Sequence, residues 1–362
     1  MDVATSYLGM RGQNCVCPIE RAVPDGGVEE CGFWIFRSGW NFRHCRIIIS
    51  RRRTPKIRSL RATPHSIYSD AHYRTPGQRG QRRTVAACCN SMSRVVIFEN
   101  MTALANKIAV VTGGTAGVGR GIASELANCG ARVFVTGRSI QDGARSDSQI
   151  TGIRCDHRED DQVTAAFGRV AQEAGPVDIL VNNVWGGYEQ MMEDGVFTWG
   201  KPFWEQPLWR WDAMFDAGVR AHYYASQLAA RSMVARRRGL IVNISFWAAQ
   251  KHVANVAYGV SKAATDKLTA DMAAELRPHG VAVVSLYPGL VRTEKVMQAA
   301  AWLNLSNSES PEFVGRAVAA LAVDSEVMRH TGEVRVAANL ATEYGFTDID
   351  GKTPRPLTLA DV

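Results

Sequence analysis

From Lys107 onward, apolar positions come in blocks. "KIAVVT" (107–112) is an unbroken β-branched run, the pattern of a strand covered on both faces. A glycine-rich turn follows, then "GIASELANCG" (121–130), with apolar residues at helical spacing. This unit recurs. Further strands are predicted at 131–136, 152–156, 177–183, 239–245 and 280–289, and further helices at 160–175, about 212–237 and 258–277. "KVMQAAAWLNL" (295–305) reads as a short amphipathic helix, placed to act as a flap. Strands alternating with helices imply βαβ units, hence one doubly wound α/β domain with a parallel sheet over about 101–350 and a C-terminal tail at 351–362.

Residues 1–100 break the pattern. They show no sustained period of 2 or 3.6, and they carry "RRR" at 51–53 and "GQRGQRR" at 77–83. We expect a mostly disordered basic leader there. Three accounts of it stay open. It is a transit peptide, against which Asp2, Glu20, Asp25, Glu29 and Glu30 count; or it is dispensable, with translation starting at Met92 or Met101; or it is a binding tail. The first 100 residues hold sixteen Lys and Arg against seven Asp and Glu, which leaves −2 of the overall +7 for the remainder. The domain is therefore near neutral, and no nucleic-acid partner is expected.

Six of the eight cysteines also lie in the leader, leaving Cys129 and Cys155 for the domain. No CxxC spacing suggests a metal site, and no disulfide framework is visible. No apolar run reaches the ~18 residues of a membrane span, so no transmembrane segment is expected. The expected compartment is the cytoplasm, or a plastid or mitochondrion if the leader is a transit peptide.

The turn after the first strand reads TGxxxGxG, with Thr112, Gly113, Thr115, Gly117, Val118 and Gly119. Glycines between a strand and a helix let backbone approach a pyrophosphate, and the helix N-terminus supplies free N–H groups. A Rossmann-type nucleotide site follows. An acid about 20 residues on would hold the ribose 2′-hydroxyl of NAD. Here the second strand ends in "TGRS" instead, so Arg138 and Ser139 face a 2′-phosphate and NADP(H) is expected. Arg120 is a second candidate for that charge. Asp156 either accepts from the adenine amino group or caps the following helix.

Tyr258 and Lys262 stand four apart on one helix face, and Ser245 ends the fifth predicted strand. Ligands of open parallel sheets bind outside the carboxyl ends of the strands, so all three should flank the glycine turn. Two hydroxyls would hold a carbonyl oxygen, and Tyr258 would deliver the proton. A free phenol titrates at about 10; a nearby ammonium from Lys262 should lower that value.

TGxxxGxG, "NN" at Asn182–Asn183, Ser245, YxxxK and "PG" at Pro288–Gly289 together resemble the short-chain dehydrogenase/reductase family. The resemblance implies catalysis by Ser245, Tyr258 and Lys262. It implies cofactor contacts from Asn183, Pro288, Gly289, Val291 and Thr293, and assembly as a homo-oligomer. There are two departures. The family's NNAG is "NNVWG" here, and its helix asparagine, which holds a water in the proton path from the lysine, is Gly218. A freed backbone carbonyl or His222 is a candidate substitute; His222 packed as an ordinary helix residue is the alternative.

The segment 184–212 is rich in aromatics. With Trp185, Phe246, Trp247 and Trp302 it suggests a pocket for a bulky apolar substrate. An insertion with its own small core and a dimer surface are equally open. The expected function is NADPH-dependent reduction of a ketone or aldehyde, or oxidation of the corresponding alcohol. The alternative is a catalytically weak NADP(H)-binding scaffold or redox sensor.

Overall fold

The computed structural model describes residues 102–141, 149–188 and 190–362. Before these it describes three strands, β1 (Val16–Ala22), β2 (Val28–Phe36) and β3 (Arg46–Ile49). The chain divides into two units, Met1–Arg83 and Thr84–Val362. In the first, β2 pairs antiparallel with β1, Val16 opposite Trp34, and with β3, Phe36 opposite Arg46. These strands lie within 1–100, the stretch read as a mostly disordered leader. The rest of that expectation lies outside the described residues.

In the second unit, strands numbered in chain order are β4 (Ile108–Thr112), β5 (Arg132–Gly137), β6 (Ile150–Arg154), β7 (Ile179–Asn182), a small hairpin β8 (Met192–Glu193) and β9 (Val196–Phe197), β10 (Gly239–Ile244), β11 (Val281–Tyr287) and β12 (Val334–Val336). Seven of them form a parallel sheet in the order β12-β11-β10-β7-β4-β5-β6. β11 is buried at every position, which is why its sequence is a continuous apolar run.

Helices cover both faces. On one side α1 (Gly117–Asn128), α7 (Pro311–Val323) and α8 (Ala337–Tyr344) bury Leu126, Phe313 and Leu340. On the other, α2 (Asp160–Glu173), α4 (Ala221–Arg236) and α5 (Val256–Leu276) bury Phe167, Met233 and Leu276. Helices α1 and α7 meet backbone to backbone. A Cβ on Gly121 would lie 2.2 Å from the carbonyl carbon of Pro311, and one on Gly315 would lie 2.5 Å from the Gly121 oxygen. Arg316 and Glu125 bridge the pair at 3.4 Å.

Several boundaries differ from the periodicity, and α1 starts at Gly117, four residues before its predicted start. The third strand of the sheet starts at Ile150, two residues before its predicted start. The long helix expected at 212–237 is α3 (Leu208–Met214), a π-helical turn (Phe215–Arg220) and α4 in succession. The helix expected at 295–305 is only α6 (Glu294–Gln298) and a single 3-10 turn (Ala300–Trp302). Elements α7, β12 and α8 carry the fold beyond the last strand assigned from sequence.

Candidate active site

Strand order reverses between β4 and β7, and a cleft of about 420 Å³ opens there. The turn leaving β4 is stapled to the exit of β7. Thr112 Oγ1 donates to the Val181 carbonyl at 3.3 Å and accepts the N–H groups of Asn183 and Val184 at 3.0 and 3.1 Å. Asn183 Nδ2 donates to the carbonyls of Thr112 and Gly113, both at 3.0 Å. Asn182 Nδ2 donates to Ser226 Oγ and Asn243 Oδ1, both at 2.8 Å, tying β7 to α4 and β10.

Gly113 and Gly117 have φ of +65° and +54°, the left-handed region that favours glycine. The third glycine of the motif is needed for space, since a Cβ on Gly119 would lie 2.4 Å from Asn183 Nδ2. Thr115 and Val118 line the cleft with Gly113. At the start of α1 the Gly117 N–H donates to Glu294 Oε2 at 3.1 Å, and the same carboxylate pairs with Arg120 at 2.5 Å. An anionic oxygen therefore already sits on the helix N-terminus. Thr293 caps α6 by accepting the Val296 N–H at 3.3 Å, and its methyl would lie 3.3 Å from a Cβ on Gly117. These residues fit the pyrophosphate of a dinucleotide.

The other end of the cleft is lined by Gly137, Arg138 and Ser139 from the end of β5 and by Asp156. Asp156 pairs with Arg158 at 2.6 Å and accepts the Arg158 N–H at 3.0 Å. The side-chain hydrogen bond from Arg158 holds its carboxyl below the usual range. Buried Cys155 adjoins it, and desolvation pushes its thiol up to about 12. Burial raises Cys129, on the opposite face of the sheet, to about 11.

Pro288 and Gly289 follow β11. The Gly289 N–H donates to Glu309 Oε2 at 2.9 Å, and Val291 bridges to the Glu309 backbone. Glu309 is buried, and desolvation raises its carboxyl to about 7.

Ser245 is the first residue after β10 and is buried. Its Oγ makes a long contact of 3.4 Å to the Lys262 carbonyl, and Lys262 Nζ donates to the carbonyl of the preceding Ile244 at 3.1 Å. Ser245 and Lys262 thus meet where β10 runs against α5, and Tyr258 lies one turn earlier on that helix. That helix starts at Asn255, which accepts the Tyr258 N–H through Oδ1 at 3.0 Å and holds the Trp199 carbonyl through Nδ2 at 3.0 Å. One side chain therefore sets the helix start and anchors the insertion over it.

Tyr258 lies among Trp199, Tyr188, Trp185 and Phe246, with ring centroids 5.5 to 6.3 Å away. It shares a hydrogen bond with Tyr188. Burial drives its phenol well above 10. Burial also brings Lys262 down to about 7, with Asp266 opposing. The expected lowering of the phenol by the lysine is absent here: burial and the neighbouring Tyr188 raise it, and Lys262 is not among the groups that act on it. Lys262 Nζ is 5.7 Å from the Tyr258 ring centre but only 3.4 Å from that of Trp185. Asp266, one turn past Lys262, accepts from Ser285 Oγ at 2.6 Å and from the Tyr287 hydroxyl.

The insertion is organised by Arg210, which is fully buried. Its guanidinium donates to Gln190 O at 2.8 Å, Thr198 Oγ1 at 2.9 Å and Thr198 O at 3.2 Å, and reaches Glu193 at 3.4 Å. It also lies over Trp209, 4.9 Å from the ring centre. The aromatics split accordingly: Trp199 is buried, whereas Phe203 and Trp204 are exposed.

Of the four residues expected in a substrate pocket, two flank Tyr258. These are Trp185, which lines the cleft, and half-buried Phe246. Trp247 is buried elsewhere, 5.2 Å from Tyr287 in a cluster with Val336 and Leu357. Trp302 is 83% exposed on the turn after α6. The structure does not bring the four together. His222 is fully buried, with Nε2 2.9 Å from the Val184 carbonyl, and burial holds it neutral at about 3. Tyr188, Trp199, Asn255, Glu294 and Glu309 were not singled out from sequence as site residues. The aromatic run was a signal for the first two; Glu294 is adjacent to Thr293. Nothing local marked Glu309.

Among the described residues no group of His, Cys, Asp and Glu is placed to hold a metal, and no helix is long and apolar enough to cross a membrane.

The short chain dehydrogenase family profile matches residues 107–304. The chain is 39% identical to mouse "Dehydrogenase/reductase SDR family member 1" over 267 residues, 68% of this chain and 84% of that protein. The human protein of that name is 38% identical over the same length. Bovine "L-xylulose reductase" is 36% identical over 204 residues, 55% of this chain and 77% of that protein. A solved "short chain dehydrogenase/reductase family protein" superposes with a TM-score of 0.54 at 32% identity, covering 65% of this chain and 96% of that one. With the strand order, the glycine turn and these likenesses together, the chain belongs to the short chain dehydrogenase family of NAD(P)-binding oxidoreductases.

Proposed function

We propose that this protein is an NADP(H)-dependent carbonyl reductase, or the reverse alcohol dehydrogenase, acting on a bulky apolar substrate. The observation that carries this reading is that Lys262 touches both Ser245, through its carbonyl at 3.4 Å, and the end of β10, through Ile244 O at 3.1 Å, with Tyr258 one turn earlier on the same helix and packed on Trp185 and Tyr188 of the glycine-lined cleft.

Thr112, Gly113, Thr115, Gly117, Val118, Gly119, Asn183, Pro288, Gly289, Val291 and Thr293 would hold the dinucleotide. The cofactor supplies the hydride. Arg138 and Ser139 support NADP(H), since a guanidinium and a hydroxyl suit a 2′-phosphate and no carboxylate stands at the end of β5. Asp156, on the cleft wall, would accept from the adenine amino group; its bonds to Arg158 leave capping of the following turn as the alternative. The Ser245 hydroxyl polarises the substrate oxygen, and Tyr258, whose phenol stays protonated across physiological pH, donates the proton. Lys262, one turn past Tyr258, would grip the nicotinamide ribose and, when protonated, add positive charge beside the phenol. The rings around Tyr258 favour an aromatic or alicyclic carbonyl over a small sugar.

The test is NADPH oxidation against aromatic ketones, quinones and steroids, with Tyr258→Phe alongside. Turnover should vanish in that variant while NADPH still binds. Undiminished turnover would overturn the assignment. NADPH binding with no turnover of any carbonyl by the wild type would favour a cofactor-binding scaffold, for which Gly218 in the active-site helix is the supporting observation.

A further inference from the structure

We propose that Trp185, seated in the space that Gly218 leaves, is the positioning residue for Lys262, in place of an active-site helix asparagine. This rests on the reductase reading only for its link to turnover; the geometry stands by itself.

Five observations converge. A Cβ on residue 218 would lie 2.8 Å from the Trp185 ring, so this helix position admits the indole only as glycine. The helix there is a π-helical turn, Phe215–Arg220, which places Gly218 directly against the ring. The Lys262 ammonium lies 3.4 Å from the ring centre, within reach of a cation–π attraction. The ring meets Tyr258 edge-on at 6.3 Å and His222 at 5.9 Å. The indole N–H has no hydrogen-bond partner among the described residues, so the ring is held by shape, and Gly218 supplies the shape.

The ring acts on Lys262 in two opposed ways. Its face attracts the ammonium, which favours the charged form. Its bulk keeps water from the amine, which lowers the proton affinity. The groups facing Lys262 are Asp266 on its own helix, Tyr258, and His222 from α4, with Tyr188 behind Tyr258. Only Asp266 is an anion, and the lysine still falls to about 7, so exclusion of water wins. Removing the ring should therefore raise the midpoint.

The experiment reads Lys262 directly in the full chain without cofactor. Its side-chain signals in lysine-labelled protein, assigned by loss in Lys262→Met, are followed by NMR against pH. A midpoint near 7 is expected in wild type. A rise of at least one unit is expected in Trp185→Gly, and also in Gly218→Ala, whose new methyl displaces the ring. Trp185→Phe should stay within half a unit of wild type. An unmoved midpoint in Trp185→Gly, or in Gly218→Ala should the first variant not fold, overturns the proposal. The pH profile of kcat/KM is the second readout, and its limb should move with the midpoint. A shifted midpoint in a protein that turns over no carbonyl would keep the positioning role and remove the reductase reading.

Discussion

The carboxylate of Glu294 accepts the Gly117 N–H at 3.1 Å while pairing with Arg120 at 2.5 Å. An acid one residue past Thr293 thus sits on the amide that a cofactor phosphate would use. Glu294→Ala should tighten NADP(H) binding. Both side chains are half-exposed, so the gain is limited to about fivefold, roughly 1 kcal/mol. Fluorescence titration at low and high salt measures it, and weaker binding in the variant would count against this role for Glu294.

Gly121→Ala should cost about 1–3 kcal/mol in urea denaturation, because its methyl meets Pro311 backbone that cannot move alone. Gly168→Ala is the contrast. It sits exposed in α2 with nothing within 4 Å of a new Cβ, and should gain about 0.5–1 kcal/mol from helix propensity.

His157 is buried with Nε2 2.7 Å from Thr136 Oγ1, and desolvation holds it at about 4 rather than 6.5. The neutral ring contributes its full share of stability above pH 6.5, and that share is lost as pH falls from 6.5 towards 4. Each unit in this window costs about 1.4 kcal/mol. In His157→Gln this loss should be absent. The stability difference between wild type and variant should then shrink with that slope in urea titrations from pH 7 to 5.

Arg210→Met removes the donors that hold Thr198 and Gln190. Amide exchange across 190–210 should accelerate, and kcat/KM should fall at least about tenfold as Trp199 loosens over Tyr258. Slow exchange with normal kinetics would show that the insertion holds itself.

Most of the sheet was legible because its strands are buried on both faces. "KIAVVT" and "GVAVVSLY" leave no alternation to misread, and helices between them force parallel pairing. The contact of Ser245 with Lys262 was legible because strand ends in such sheets share one crevice. What escaped was non-local. The clamp of Glu309 on Gly289 joins residues 20 apart through a loop without period. The π-helical turn reflects a seat for Trp185 that only the folded insertion defines. The split of the pocket aromatics, Trp185 and Phe246 inward, Trp247 behind Tyr287 and Trp302 outward, follows from tertiary packing rather than composition.

The two sulfhydryls of the domain bear on what the enzyme can tolerate. Cys129 and Cys155 are shielded from solvent and hold their protons far into alkaline conditions, so neither presents a thiolate at neutral pH. Electrophilic compounds such as quinones therefore meet no ready thiolate at either of these two positions.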